Sequence, residues 1–306
     1  MSSRKKAIIA IIIASMLWGT AGVAGKTLIA GAHPFIISFY RFLIASLCIL
    51  PFFLKGKPSF RTWRRLMPLS LFGALGVPLF YFGIQTTTAN SALLIFTTSP
   101  LTTAFLSSIL IREIHSTKKL FGIILGLAGA MLIILLPLIE KNGIAVGDFT
   151  GNLFIVCSMF CWTLYTIGSK KIHLMDTHSP IVITSIYFFS ATLLSFVLAF
   201  STHQSFMLPS LLSPTYIFTL LFSGVFITFI TYYLFQIAIR NISVTTASLK
   251  QYIELIVGIV LNIFLLRENP SFGFLLGTFF VILGLIIATG SKLFYMVKQK
   301  ISFFFK

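Results

Sequence analysis

Residues 243–266 read SVTTASLKQYIELIVGIVLNIFLL. The stretch is long and apolar enough to cross a bilayer, yet it carries Lys250 and Glu254 inside it. At a spacing of four, both side chains leave the same face of a helix. An ionisable residue at the centre of a membrane helix costs about 2.5–3.5 kcal/mol on insertion scales, so it marks a functional site by default. The rest of the chain decides whether residues 243–266 are such a helix.

Of the 306 residues, 57% are hydrophobic and 9% charged, against about 25% charged in a soluble domain. Mean hydropathy is +1.01. These values exclude an ordinary soluble domain and place the chain among polytopic membrane proteins, with the lipid bilayer as its surroundings. The net charge of +17 raises nucleic acid as a partner. The basic residues lie in short loops between apolar segments, however, where they act as orientation signals, so no nucleic acid is expected. Cys48, Cys157 and Cys161 all fall inside apolar segments and form neither a disulfide framework nor a metal motif. Cys157 and Cys161 share a helix face and read as small packing residues. Arg4-Lys5-Lys6 opens the chain like a signal peptide, but the apolar run from Ala7 to about Ala30 exceeds an h-region of about 7–15 residues. It reads as an uncleaved first span.

Ten segments reach spanning length: 7–30, 34–54, 66–86, 89–111, 120–138, 151–169, 180–200, 215–238, 243–266 and 271–291. A span needs about 20 residues at about 1.5 Å each. Ten spans put both termini on one side. If that side is cytoplasmic, it receives Arg4, Lys5, Lys6, Lys55, Lys57, Arg61, Arg64, Arg65, Arg112, Lys118, Lys119, Lys170, Lys171, Arg240, Lys292, Lys298, Lys300 and Lys306. The opposite side receives only Lys141 and Arg267, and Lys26, Arg41 and Lys250 stay within spans. That asymmetry predicts cytoplasmic termini and a multi-pass protein of the cell membrane, the inner membrane in a Gram-negative cell.

The two halves of the chain resemble each other. Ala92 to about Leu135 aligns without gaps on Ala247 to Gly290, matching Arg112-Glu113 to Arg267-Glu268, Gly122 to Gly277 and Gly129 to Gly284. Earlier, Trp18 and Lys26 match Trp162 and Lys170, and Pro34, Phe42 and Ala45 match Pro180, Phe188 and Ala191. The chain therefore divides into a first five-helix repeat (7–138), a linker (139–150), a second five-helix repeat (151–291) and a basic cytoplasmic tail (292–306). Five is odd, so the second unit enters the membrane from the opposite side. The expected fold is an all-α membrane protein of ten transmembrane helices arranged as two inverted repeats. In transporters built this way the substrate site lies near the midplane between the halves.

On this register the ninth segment corresponds to the fourth. Thr246, Lys250, Glu254, Gly258 and Asn262 recur at every fourth residue, opposite Ser91, Ile95, Ser99, Thr103 and Ser107. Such a row slants around the helix and faces either a neighbouring helix, as small and hydroxyl packing residues do, or a cavity. Glu254 lies eleven residues into its segment, about 16 Å from the start at about 1.5 Å per residue. Trp18 and Trp162 fall mid-span at equivalent positions, away from the interfacial belts where Trp gathers. They line a cavity or pack. Pro100 lies mid-span in the fourth segment and frees the carbonyl of Phe96, to be met by a substrate or by a nearby hydroxyl. Leu255 holds the equivalent place in the second half.

Weaker signals surround these. Arg41 pairs with an acid, holds an anionic group or snorkels; Lys26 lies close enough to the surface to snorkel. Gln85, Gln236, Tyr81, Tyr165 and Tyr187 line a pore or bond across helices. All five histidines (His33, His115, His173, His178, His203) fall in expected loops, and Arg112-Glu113 and Arg267-Glu268 read as interface anchors. No His/Asp/Glu cluster or zinc spacing suggests an intramembrane enzyme, and neither a metal nor a cofactor is expected.

Trp18-Gly19, Pro34 followed by Phe39-Tyr40-Arg41-Phe42, and Ser99-Pro100 followed by Arg112-Glu113 form an ordered series. The second half adds Tyr233-Leu-Phe-Gln236, Ala247, Glu254, Arg267-Glu268 and Gly277. This pattern resembles the EamA-type branch of the drug/metabolite transporter superfamily over about residues 7–291. The resemblance implies ten helices around a central cavity and secondary transport of amino acids, other small metabolites or drugs, often by export. Members often carry Pro after the position of Glu254, where this chain has Leu255. Tyr252-Ile253-Glu254-Leu255 looks like the form in members that import S-adenosylmethionine.

The site residues expected to meet a small-molecule substrate are Trp18, Ser99, Trp162, Tyr165, Lys250 and Glu254, with Arg41, Tyr81, Gln236 and Asn262 as further candidates. Glu254 would bind a cationic amine or take a proton for coupling, and Lys250 would hold it at rest or meet a carboxylate. Nothing resembles an ATP site, so transport would run on a gradient, with protons or an exchanged metabolite as the partner. The alternative is a passive channel or non-transporting scaffold in which Lys250–Glu254 is a structural pair.

Overall fold

The computed structural model describes residues 3–56, 59–110, 117–139, 147–175, 179–208, 213–242, 247, 250–268 and 271–289. Arg112-Glu113, most of the 139–150 linker, Thr246 and the 292–306 tail lie outside the described residues, as do the side chains of Ser107 and Tyr252. Every regular element among the described residues is helical. We number them α1 (Ser3–Gly19), α2 (Ala21–Ile29), α3 (Pro34–Gly56), α4 (Phe60–Thr86), α5 (Ala89–Thr97), α6 (Ser99–Leu110) and α7 (Thr117–Ile139). Then follow α8 (Phe149–Met175), α9 (Pro180–Ser201), α10 (Pro214–Phe222), a π-helical segment (Ser223–Ile230), α11 (Thr231–Asn241), α12 (Lys250–Leu266) and α13 (Phe272–Thr289).

The helix starts follow from local chemistry. Ser59 Oγ accepts from Thr62 N at 3.3 Å and Thr88 Oγ1 from Ser91 N at 3.0 Å, each satisfying an otherwise orphan N–H. Asp148 Oδ2 accepts from Thr150 N and Gly151 N at 2.9 and 3.2 Å at the start of α8. Pro180 and Pro214 open α9 and α10, where the missing N–H costs nothing.

Among the described residues, six helical stretches are long and apolar enough to cross a membrane: Lys6–Ile29, Pro34–Lys55, Phe60–Thr86, Phe149–Met175, Pro180–Ser201 and Pro214–Asn241. Leu120–Leu136, Ile253–Leu266 and Phe272–Gly284 are shorter apolar helices. Three expected segments are interrupted. The first breaks at Thr20, whose hydroxyl donates to Leu17 O at 2.7 Å. The fourth breaks at Thr98, just before Pro100, whose ring cannot continue the helix of α5. The eighth changes to π-helix over Ser223–Ile230. The sixth outruns its apolar core: α8 continues past residue 169 to Met175, so His173, expected in a loop, sits in its last turn.

The interior mixes apolar and hydroxyl side chains, and the exterior is apolar. Ser15, Ser38, Ser185, Thr228 and Thr231 are fully buried, while Phe200, Phe218, Phe264 and Phe279 face outward. An exterior this apolar suits lipid. Many buried hydroxyls are satisfied within their own helices: Ser15 donates to Ile11 O at 2.5 Å, Ser38 to Pro34 O and Thr184 to Pro180 O at 2.8 Å. Others cross between helices, as Ser158 Oγ does to Gly76 O at 2.6 Å. The most extensive pairings are α7 on α13, α4 on α8, α3 on α9, α1 on α11 and α4 on α9. On the α7–α13 seam a Cβ on Gly129 would lie 2.7 Å from Val281 N and 2.8 Å from Gly277 O. A Cβ on Gly284 would strike the backbone of Gly126 and come within 2.6 Å of Gly122 O. Only glycine lets these backbones approach so closely.

Candidate functional site

Trp18 begins the site because it is fixed from two sides. Its indole Nε1 donates to Ile227 O in the π-helical segment at 3.1 Å. Its ring meets Trp162 edge-on at 5.4 Å between centroids, with Tyr232 and Phe235 each at 5.6 Å. α1, α8 and α11 thus bring four rings to one wall. Lys250, the first residue of α12, places Nζ 4.2 Å from the Trp18 ring centroid, 5.6 Å from Trp162 and 5.9 Å from Phe235. The negative ring faces stabilise its charge, an effect that grows where water is excluded.

One turn on, Glu254 Oε1 accepts from Lys250 Nζ at 2.5 Å, with both side chains buried. Gln251 completes the group. An amide oxygen facing Glu254 would set two acceptors against each other. Oriented by its neighbours, its NH2 donates to Glu254 Oε2 at 2.6 Å and its carbonyl accepts from Ser99 Oγ at 3.2 Å and Lys250 Nζ at 3.3 Å. Ser99 of α6 therefore reaches the acid through Gln251. Nothing in the reading of the sequence singled out Gln251, although residues 251 and 254 are neighbours on a helix face.

Trp18, Trp162, Tyr232, Lys250 and Glu254 border a cavity with about 120 Å³ of space open to the centre of a water-sized molecule, far above the roughly 10–15 Å³ one water needs. Its walls come from both halves of the chain: Trp18, Gly22, Arg41, Gly73, Gly76, Phe80 and Phe96 on one side of the 139–150 stretch, Ser158, Trp162, Tyr232, Lys250, Glu254 and Asn262 on the other. The surface is apolar with a few polar groups, the usual make-up of a small-molecule site. A second, smaller space adjoins Ser99, Thr103, Trp162 and Lys250.

The other expected residues divide. Arg41 lines the cavity and is held by neutral acceptors: Nε donates to Thr228 Oγ1, Nη1 to Tyr81 OH at 3.1 Å and Nη2 to Ile227 O at 3.3 Å. Tyr81 thus serves as an anchor for Arg41. Asn262 lines the cavity and donates to Asn90 Oδ1 at 3.0 Å; its own Oδ1 is buried without a partner. Tyr165 and Gln236 belong to a different network, since Gln236 Nε2 donates to Tyr165 OH at 2.8 Å and Gln236 Oε1 meets His173 Nε2 at 2.8 Å. Neither lines the cavity.

Glu268, expected as an interface anchor, caps a helix. Arg267 takes a left-handed conformation (φ 55°), rare for a side chain with a Cβ, and turns the chain back. Glu268 Oε1 and Oε2 then accept from Ala89 N and Asn90 N at 2.7 and 2.8 Å, capping α5 with a carboxylate where its dipole is positive. Lys26 Nζ donates to Thr87 O beside it at 2.7 Å, and Lys170 Nζ donates to Ile239 O and Ile242 O at 2.7 and 3.0 Å.

The EamA-like transporter family matches the chain twice, over residues 5–135 and 149–290. A protein of Archaeoglobus fulgidus named as an uncharacterized transporter is 25% identical over 297 residues, 95% of this chain and 99% of that protein. An S-adenosylmethionine/S-adenosylhomocysteine transporter of Chlamydia muridarum is 29% identical over 134 residues, 42% of each chain. A solved crystal structure shares the fold at a TM-score of 0.67, with 18% identity, covering 94% of this chain and 97% of that one. With its apolar helices and apolar exterior, the chain is a multi-pass membrane protein that belongs to the EamA-like transporter family.

Proposed function

We propose that the protein is a secondary transporter that moves an amino acid or amino-acid-like metabolite through the cavity by alternating access. The observation that carries this reading is the Lys250–Glu254 pair, buried against the Trp18–Trp162 wall of a cavity to which both halves contribute. Glu254 takes the substrate's ammonium or a coupling proton, and Lys250 neutralises it when the site is empty. Trp18 and Trp162 contribute apolar and cation–π contact to a substrate amine. The S-adenosylmethionine/S-adenosylhomocysteine transporter of Chlamydia muridarum supports an amino-acid-like substrate, without reaching the whole chain.

The architecture we propose has ten spans, in repeats 7–138 and 151–291 about the 139–150 linker, with both termini and the 292–306 tail cytoplasmic. The double family match supports the duplication. So does the pairing of helices: exchanging the two repeats maps the α4–α8 contact onto the contact of α11 with α1, and leaves α7–α13 and α3–α9 in place. The glycine contacts are reciprocal, as a twofold relation requires: Gly129 meets Gly277 as Gly284 meets Gly122. A reporter fused after residue 210 tests the orientation and is expected to be extracytoplasmic.

One observation favours a structural pair instead. Lys250, Gln251 and Glu254 satisfy one another without a ligand, as a packed scaffold or passive channel would need. A metabolite screen in reconstituted vesicles, with and without a pH gradient, separates the readings. Wild type is expected to accumulate a subset of amino acids against their gradients. Glu254→Gln is expected to insert normally and lose that accumulation; uptake at the wild-type level in this variant contradicts the proposal.

A further inference from the structure

Arg41 is a buried cation that faces no acid among the described residues. It is 6% exposed, and its acceptors are a hydroxyl, a phenol and a backbone carbonyl, all neutral. The cavity's carboxylate, Glu254, is already engaged by Lys250 and Gln251. A guanidinium carries five N–H groups in a rigid plane. Three are used here, which leaves one on each terminal nitrogen.

The surroundings hold Arg41 in place without neutralising it. Thr228 Oγ1 donates to Ser223 O at 2.8 Å, five residues back along the π-helical segment, so its lone pairs remain for Arg41 Nε. Ile227 O accepts from Trp18 Nε1 and Thr231 Oγ1 as well as from Arg41. The guanidinium is thus oriented by α3, α4 and the π-helical segment while it borders the cavity. Among the described residues, two basic residues and one acid line that cavity, an excess of one positive charge.

We propose that Arg41 is the carboxylate subsite of the transporter: a substrate carboxylate accepts from the two free N–H groups, and the substrate's amine lies toward Trp18, Trp162 and Glu254. The proposal rests on the transport reading above and narrows it. The substrate class is one with a free α-carboxylate, and the same compounds with that carboxylate converted to an amide are excluded, because they cannot offset the surplus charge or fill a planar fork.

The test is binding of the twenty L-amino acids and their α-carboxamides to the purified full-length protein, read as ligand-induced thermal stabilisation. Wild type is expected to bind a subset of the acids and to prefer each over its amide by roughly tenfold or more. Arg41→Gln is expected to bring that acid-to-amide ratio close to one, and Arg41→Lys, which keeps the charge but loses the fork, to leave an intermediate ratio. A merely structural Arg41 would change the unliganded melting temperature and leave the ratio alone. If Arg41→Gln does not fold, Arg41→Lys carries the comparison by the same ratio. An unchanged ratio in the folded variant, or wild type that binds amides as well as acids, overturns the Arg41 assignment and leaves transport standing. Wild type that binds and transports no member of the panel overturns the amino-acid reading and this one with it.

Discussion

The two halves of the proposed repeat agree at their edges and differ at their centre. Lys26 and Lys170, matched in the alignment, do the same thing at opposite ends: each donates to the carbonyl just past a helix, Thr87 after α4 and Ile242 after α11. Thr87 and Ile242 are themselves equivalent positions. The centre departs from this pattern. Pro100 divides the fourth segment into α5 and α6, whereas Leu255 leaves α12 continuous across the charge pair. Symmetry is kept along the packed seams and lost at the cavity, where Lys250 and Glu254 stand opposite Ile95 and Ser99 in the alignment.

The largest expected effect comes from making the halves alike at the centre. Leu255→Pro brings the break of the fourth segment into α12; an interior proline costs about 3 kcal/mol or more and pulls Glu254 away from Lys250. Melting of the detergent-purified protein is expected to drop sharply, with transport lost. A wild-type melting temperature would mean that continuity of α12 is not what holds the pair.

Next come the two tryptophans, equivalent by alignment but unequal in contact. Trp18 lies 4.2 Å from Lys250 and bonds Ile227 O, while Trp162 lies 5.6 Å away. Trp18→Ala removes about 2 kcal/mol of desolvated cation–π stabilisation beyond its packing, and is expected to cost more than Trp162→Ala in chemical denaturation. Equal costs would return the centre to symmetry.

The glycine seam sharpens the other side of the comparison. Gly129→Ala and Gly284→Ala each force a methyl against backbone, and overpacking of this kind costs about 1–3 kcal/mol. The two are expected to be equal within error by melting temperature. The smallest effect is at the lysine caps: Lys26→Met and Lys170→Met each remove a charged donor worth about 1.5 kcal/mol when buried, less where water reaches it. Lys170→Met is expected to cost slightly more, because Lys170 serves two carbonyls.

Much of this was legible in the sequence, for physical reasons. Spacing by four put Lys250 and Glu254 on one face, and hydropathy located apolar helices, six of which are long enough to cross a membrane among the described residues. Trp18 and Trp162 stood out because Trp is unusual at mid-span. What escaped depends on contacts between distant residues or on backbone details that composition does not encode. Gln251 became part of the site only through the amide orientation that Glu254 and Ser99 impose. Glu268 was read as an anchor, but the left-handed turn at Arg267 aims it at α5. The π-helical segment is as apolar as an α-helix and leaves no mark on hydropathy, yet it supplies the acceptors for Arg41 and Trp18. α8 runs past its apolar stretch because its polar last turns remain helical, and that is how His173 meets Gln236.

In the proposed mechanism Lys250–Glu254 works on a substrate rather than holding the bundle together. Reversing the pair tests this most directly: Lys250→Glu with Glu254→Lys keeps an i,i+4 ion pair but moves the cation away from Trp18 and the acid away from Gln251. Uptake of the transported amino acid by vesicles containing the reversed variant is expected to fall to background while the protein remains folded and inserted. Full uptake by the reversed pair would show that the ion pair is structural, and would contradict the account.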